Sequence, residues 1–214
     1  MLIDVDVKGK TVLVVGGGRV GQRKALKFLA AGAKVTVSSK EFIGSIKRLS
    51  DEGRLRLVRI DTDTNPLSVD PLISRADLVI AATDKPEVNE LIAKKAKQKR
   101  ILSSVVDNPS LGDFTLPVTL RRGGFHIAIS TGGKSPAMAS LLRKKIEGIV
   151  SKEDILLVRL QAYARRLAKL SMANQESRRR VLYKIIGDSR IRRLLKRGKY
   201  GEAKKLVKHI IKQS

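Results

Sequence analysis

The sequence predicts an α/β fold: a parallel sheet flanked by helices, then a small α+β segment, then an all-helical C-terminal domain. Three observations predict it. A β-branched and apolar run, Thr11 to Val15, leads straight into a glycine turn and an amphipathic helical pattern. Strand-length apolar runs then alternate with helical patterns as far as Val106, and from Ala137 every apolar pattern has helical spacing. The expected segments are 1–112, 113–150 and 151–214.

Gly16, Gly18 and Gly21 fit G-x-G-x-x-G in VVGGGRVGQ. Each glycine has a mechanical role: a tight turn, close approach of backbone to a pyrophosphate, and packing of helix on strand. Backbone N–H groups at the helix start, around Arg19 and Val20, would face the phosphates with the helix dipole behind them. A second strand, Lys34 to Ser38, follows a helix ending at Gly32 and completes a βαβ unit of roughly 30 residues. The turn therefore reads as a Rossmann-type dinucleotide site, against the plainer alternative of a glycine turn with no ligand. Where such folds usually contact the adenosine ribose stand Ser38, Ser39, Lys40 and Glu41. A typical NAD site has an acid at the strand end, so the choice between NAD and NADP stays open.

Taken in order, the lead-in carries Leu2, Val5 and Val7 as a candidate edge strand. Phe42 to Gly53 reads as a helix, Leu55 to Ile60 as a strand, and Asp61 to Pro71 as a polar loop. The strand Asp77 to Thr83 brings Thr83 and Asp84 toward the glycine crevice, since open α/β sheets bind ligands at their carboxyl ends. A helix follows over Glu87 to Lys99, with Val88, Leu91, Ile92 and Ala96 on one face. The strand Ile101 to Val106 ends in Asp107-Asn108-Pro109. Asp107 sits at the expected rim of the crevice as a candidate base; an Asx turn or helix cap before Pro109 is the structural alternative.

The rhythm then changes. Phe114, Leu116, Val118 and Leu120 alternate with polar residues, and Phe125, Ile127 and Ile129 alternate again after Arg121-Arg122-Gly123-Gly124. This is an antiparallel hairpin whose apolar face needs a partner, for which a second subunit is the candidate. In Thr131-Gly132-Gly133-Lys134-Ser135-Pro136, Ser135 is placed as N-cap and Pro136 as first helical residue. A phosphate loop would need glycine where Ala128 stands, so nucleotide hydrolysis is not expected. Thr131, Lys134 and the helix start remain a candidate anion site, against a capped helix with a solvated lysine. Leu156, Leu160, Tyr163, Leu167 and Leu170 mark a long helical stripe, and three short helices follow, separated at Gly187-Asp188-Ser189 and Gly198-Lys199-Tyr200-Gly201.

The formal charge of +25 suits an anionic partner, and from Ser151 onward nineteen basic residues stand against five acidic ones. With no cysteine, disulfides, iron–sulfur ligation and thiolate catalysis are excluded. His126 and His209 form no ligand cluster, so no protein-held metal is expected. No apolar run is long enough to cross a bilayer and the start lacks a signal-peptide core, so a cytoplasmic protein without membrane partners is expected. A rival reading is a dinucleotide-sensing regulator whose basic tail meets nucleic acid; scarce aromatics and the absence of a recognised motif weigh against it.

VVGGGRVGQRKALKFLAAGAKVTV, AATDKPEVN, SSVVDNPSLGDFTLP and ISTGGKSPAMASLLRKKIE, in this order and spacing, resemble the precorrin-2 dehydrogenase family of siroheme synthesis, whose members are sometimes also sirohydrochlorin ferrochelatases. Weaker similarity continues through ESRRRVLYKIIGDSRIRRLL. The resemblance implies a dinucleotide domain, a central dimerisation segment making a homodimer, and a helical domain closing over the substrate. It implies oxidation of the tetrapyrrole precorrin-2 to sirohydrochlorin with NAD as hydride acceptor, with ferrous iron a substrate wherever chelatase activity is present. The methyltransferase module fused to some members is expected to be absent. Asp107 matches the family's active-site acid. Thr131, Lys134, Ser135, Arg121 and Arg122 become candidates for the substrate carboxylates, along with Arg178, Arg179 and Arg180 of the helical tail. Two residues depart from the pattern: Gly21 stands where many members have alanine, and Thr131 where some have serine.

Overall fold

In the computed structural model, which describes residues 2–62 and 64–213, the chain divides into two units, Met1–Leu116 and Pro117–Ser214. The first contains β1 (Thr11–Val15), α1 (Arg19–Ala30), β2 (Lys34–Ser39), α2 (Gly44–Asp51), β3 (Arg56–Arg59), α3 (Asp70–Ile73), β4 (Leu78–Ala81), α4 (Pro86–Gln98) and β5 (Leu102–Val105). The five strands form one parallel sheet in the order β3-β2-β1-β4-β5. Both faces are covered, which is why the central strands β1 and β4 read as continuous apolar runs, whereas β2, β3 and β5 carry polar residues as well. Val12, Val14, Val35, Val37 and Ile80 pack with Ala25, Phe28, Ile46 and Leu49 of α1 and α2. Leu13, Val15, Val79, Ala81 and Val105 pack on the other face with Ile73 of α3 and with Val88, Ile92 and Ala96 of α4.

The register brings the strand ends together: Val15 lies opposite Ser38 and Ala81, and Ala81 opposite Val105. The loops after β1, β2, β4 and β5 therefore share one edge of the sheet, with the order reversing direction at β1. At the opposite edge, Asp77 accepts hydrogen bonds from the Thr11 backbone N–H at 2.8 Å and from Lys10 Nζ at 3.2 Å. The Thr11 N–H first, then the lysine, hold its carboxyl below the usual range.

Several sequence expectations change here. The edge strand expected from Leu2, Val5 and Val7 does not form: Leu2 and Val5 lie exposed, whereas Val7 is buried in the core cluster with Phe28 and Ala33, its carbonyl accepting from the Lys10 N–H at 3.1 Å in a turn. The loop over 61–71 contains a 3-10 turn at Pro66–Val69 and then α3, with the side chain of Lys95 buried against Asp70 at 2.7 Å. The expected hairpin strand begins at Val118 and not at Phe114. Asp113 instead ties its segment to the free edge of β5, accepting from the Ser103 N–H at 2.8 Å and donating its own N–H to the Ser103 carbonyl at 2.7 Å. That blunts an edge that would otherwise be open to pairing.

The second unit holds the antiparallel pair β6 (Val118–Arg122) and β7 (Phe125–Ile129), then α5 (Pro136–Ile149), α6 (Lys152–Ser171), α7 (Gln175–Gly187), α8 (Ser189–Lys196) and α9 (Tyr200–Lys212). The stripe on α6 is rotated from the leucine pattern. Leu157, Leu160, Ala164 and Ala168 are the buried positions, whereas Leu170 is 85% exposed. Alanines at 164, 168 and 203 let α6 and α9 approach closely, and hydropathy alone ranks a leucine above them.

In the helical stretch, α6, α7 and α8 have side-chain caps, whereas α9 starts without one. Ser151 and Asp154 form a capping box on α6, Asn174 caps α7, and Asp188 caps α8 by accepting from the N–H groups of Arg190 and Ile191. The Arg190 side chain, outweighing the opposing effect of burial, keeps the Asp188 carboxyl below its ordinary value; the two N–H groups act the same way. A depressed folded value means the stabilisation is present above the unfolded pKa of about 3.9 and is lost as pH falls through the folded value. We expect Asp188→Ala to lower stability at pH 7 by about 1 kcal/mol in urea unfolding, and Asp188→Asn, which still caps, to lose less and to flatten the acid limb below about pH 4.

Candidate active site

The glycine turn is built from close approaches. Gly16 has φ +126°, and a side chain there would run into the Ala82 carbonyl at the end of β4. A side chain at Gly21 would meet the Gly16 carbonyl, so α1 can seat on the turn only without a Cβ at that point. Gly17, which the motif leaves unspecified, lies against the Glu41 carbonyl and 2.9 Å, from its ideal Cβ, to the Ser39 side chain. Its requirement comes from the β2–α2 loop, which is distant in sequence, and so motif spacing does not disclose it.

Gly18 differs from the other three. Its φ of −87° suits any residue, and a Cβ there would meet nothing within 4 Å. The fold has no need of glycine at this position. Gly18 is also the N-cap of α1 and supplies no side-chain cap, and no acid stands in the first turn. The first-turn N–H groups, including those of Arg19 and the half-exposed Val20, are thus left for an external anion. An open, uncapped helix start on the shared sheet edge fits the diphosphate of a dinucleotide.

At the ribose position, Ser39 is half-buried and Glu41 exposed, while Lys40 pairs with Asp61 at 3.1 Å and its carbonyl accepts from Arg59 Nε at 3.1 Å. Ser38 is corrected as a direct contact. Its side chain is completely buried beside Val15 and its Oγ lacks a hydrogen-bond partner among the described residues, because the strand's alternation turns it into the sheet.

At the ends of β4 and β5 the structure assembles a hydrogen-bonded group. Asn89 of α4 is buried, and its Oδ1 accepts from the Thr83 N–H at 3.0 Å and the Thr83 hydroxyl at 2.8 Å. Its Nδ2 donates to the Thr83 carbonyl at 3.2 Å and to Asp107 Oδ1 at 2.9 Å. The Asx turn before Pro109 is made by Asn108, whose Oδ1 accepts from the Ser110 N–H at 3.3 Å. Asp107 is therefore released from capping. It stands exposed, one oxygen anchored by Asn89 and Oδ2 without a protein partner among the described residues. Asn89 is the residue the sequence reading passed over: within a helical apolar face it counts as a polar interruption, and only the fold shows that its position faces the strand ends.

The second unit places the other candidates. Thr131 Oγ1 accepts from the Ser135 N–H at 2.9 Å, and Ser135 Oγ caps α5 by accepting from the Met138 N–H at 3.3 Å. Lys134 and Arg121 are exposed. Arg122 is committed to the scaffold, donating to the Glu147 carbonyl near the end of α5, so a role confined to substrate is corrected for it. Among the described residues no cluster of His, Asp or Glu could hold a metal, and no helix is long and apolar enough to cross a membrane.

The glycines separate folding from binding. Gly16→Ala should lower stability by about 1–3 kcal/mol in thermal unfolding, through its left-handed φ and the Ala82 carbonyl. Gly18→Asp should leave the melting temperature equal or higher, since aspartate caps helices well, while weakening dinucleotide affinity at least about tenfold by titration. Wild-type affinity in that variant would mean the turn holds no diphosphate.

Comparison with known proteins gives the family. Residues 3–118 match the family described as putative NAD(P)-binding, and residues 122–149 that described as sirohaem biosynthesis protein central. A precorrin-2 dehydrogenase of Methanosarcina barkeri is 38% identical over 183 residues, 85% of this chain and 80% of that one. A siroheme synthase 2 of Yersinia pseudotuberculosis is 35% identical over 205 residues, which is 96% of this chain but 42% of that protein. The chain thus spans less than half the length of such synthases. The solved structure of SirC, a precorrin-2 dehydrogenase, superposes with a TM-score of 0.75 over 98% of this chain and 99% of that one, at 24% identity, and so shares the fold. Nicotinamide-cofactor binding on a glycine-turned parallel sheet, with matches in the same order across both units, makes this chain a member of the precorrin-2 dehydrogenase family.

Proposed function

We propose that this chain oxidises precorrin-2 to sirohydrochlorin with NAD as hydride acceptor, a step in siroheme synthesis. The observation that carries the reading is the shared sheet edge, where the open start of α1 and the Asn89-anchored Asp107 both stand at strand carboxyl ends. Oxidation removes a hydride and a proton from the macrocycle. The cofactor, when bound, supplies the hydride acceptor.

The residues of the chain do the rest. The N–H groups from Gly18 to Gly21 hold the diphosphate and set the depth of the cofactor. Asn89 fixes Asp107 by one oxygen, which leaves Oδ2 to take the departing proton. The same atom would accept pyrrole protons if ferrous iron enters the ring, the macrocycle nitrogens themselves being the ligands; the siroheme synthase relatives favour this second activity. Thr131 and Lys134 are assigned to substrate carboxylates.

The central segment is proposed to form a homodimer. Leu120 and Ala139 close β6 against α5, yet Met138, Leu141, Leu142 and Ile149 of α5 remain exposed, Ile149 at 76%. Such a face is costly to hydrate and fits a second copy of itself.

Incubation with precorrin-2 and NAD should reduce the cofactor and give the sirohydrochlorin spectrum; no reduction would end the dehydrogenase reading. Asp107→Asn should lower kcat by about a hundredfold or more with cofactor affinity unchanged, and Asn89→Ala by about tenfold, with KM less affected than kcat. Leu141→Glu with Leu142→Glu should convert a dimer to a monomer in sedimentation; an unchanged mass would move the interface elsewhere.

A further inference from the structure

NAD and NADP differ by one phosphate on the adenosine ribose, and dinucleotide folds meet that ribose at the end of their second strand. Here β2 ends in Ser39, and the parallel register sets Arg59, the last residue of β3, directly beside it. The Ile60 N–H then donates to the Ser39 carbonyl at 3.1 Å, so the two strands stay joined as far as their carboxyl ends.

A typical NAD site has a carboxylate at this point, which accepts from the ribose 2′-hydroxyl and repels a phosphate there. This chain has serine instead. The alternation that buries Ser38 leaves Ser39 half-buried beside the glycine turn, its Cβ 2.9 Å from where a Cβ on Gly17 would stand. A hydroxyl carries no charge to repel an anion and can donate to a phosphate oxygen.

Arg59 supplies the positive charge. It is exposed, and its Nε donates to the Lys40 carbonyl at 3.1 Å, which lays the guanidinium against the loop that follows β2. Nη1 and Nη2 have no partner among the described residues. A guanidinium tethered through Nε keeps its outer fork for an anion, and that fork matches two phosphate oxygens. Two acids follow these residues in the chain. Asp61 is paired with Lys40 at 3.1 Å, so its charge is offset, and Glu41 is exposed and meets the glycine turn through its backbone carbonyl.

We propose that Ser39 and Arg59 form a subsite for a ribose 2′-phosphate, so that the chain takes NADP as well as NAD. This rests on the reading of the glycine turn as a dinucleotide site and adds a cofactor to the NAD proposed above. Arg59 belongs to no glycine motif. Its place at the ribose corner comes from the pairing of β3 with β2.

Calorimetric titration of the full chain with NADP and with NAD tests this without substrate or turnover. Wild type should bind NADP at least as tightly as NAD. The ratio of the two affinities should fall as salt is raised, and as pH drops below about 6, where a phosphate monoester loses its second charge. Arg59→Leu should weaken NADP binding about tenfold or more while changing NAD binding less than about twofold. Arg59→Lys, which keeps the charge without the fork, should fall between. Ser39→Asp, which puts the acid in place, should reverse the preference in favour of NAD. Unchanged melting temperatures would show that each variant is folded. Weaker binding of NADP than of NAD by the wild type would overturn the proposal and hand the ribose to Glu41. So would an equal loss of both cofactors in Arg59→Leu, which would make Arg59 a brace for the Lys40 loop alone, or a Ser39→Asp protein that still favours NADP. Binding of neither cofactor would end the dinucleotide reading and this inference with it, whereas NAD bound tightly and NADP weakly would end this inference alone.

Discussion

The first unit depends on how closely backbone can approach backbone at the carboxyl edge of its sheet. Three glycines make that approach possible for different reasons: Gly16 against the Ala82 carbonyl, Gly17 against the Glu41 carbonyl, and Gly21 against the carbonyl of Gly16 itself. Together they draw the ends of β1, β2 and β4 and the start of α1 into one place. A methyl group at any of the three would push two of these elements apart, because the atoms it meets are main-chain and cannot rotate away. Gly18, freed of any such duty, is left to face a ligand.

The acid follows from the same edge. Parallel strands in register deliver Ala81 and Val105 side by side, so the residues just beyond them are neighbours whatever their separation in sequence. Asn89 exploits this by bonding both Thr83 and Asp107 from one buried amide. A buried amide with its donors and acceptor satisfied is rigid, and rigidity is what a proton acceptor needs from its support. Asn108 takes over the turn before Pro109, and that division of labour between adjacent residues leaves Asp107 available for chemistry.

The second unit solves a different problem, closing a core with short helices under a heavy positive charge. Alanines bring α6 and α9 together, side-chain caps start α6, α7 and α8, and Asp188 and Asp154 place negative charge at helix starts. Acids are scarce there, and two of them, Asp154 and Asp188, serve at helix starts.

From sequence alone the order of elements was readable, because period-two and period-3.6 apolar patterns are local properties of the chain, as are the glycine spacing and the Ser135-Pro136 helix start. Asp107 was identifiable as a candidate from its place after a strand and from family resemblance, but its alternative as a turn former could not be dismissed from spacing. Only the tertiary structure transferred that turn to Asn108, joined Asn89 to Asp107, turned Ser38 into the sheet and tied Arg122 to α5. It alone exchanged the leucine stripe of α6 for an alanine-lined one and showed which glycine the fold can spare. Each of those outcomes is set by what lies across a gap in space between residues far apart in the chain, and a linear pattern carries no record of that distance.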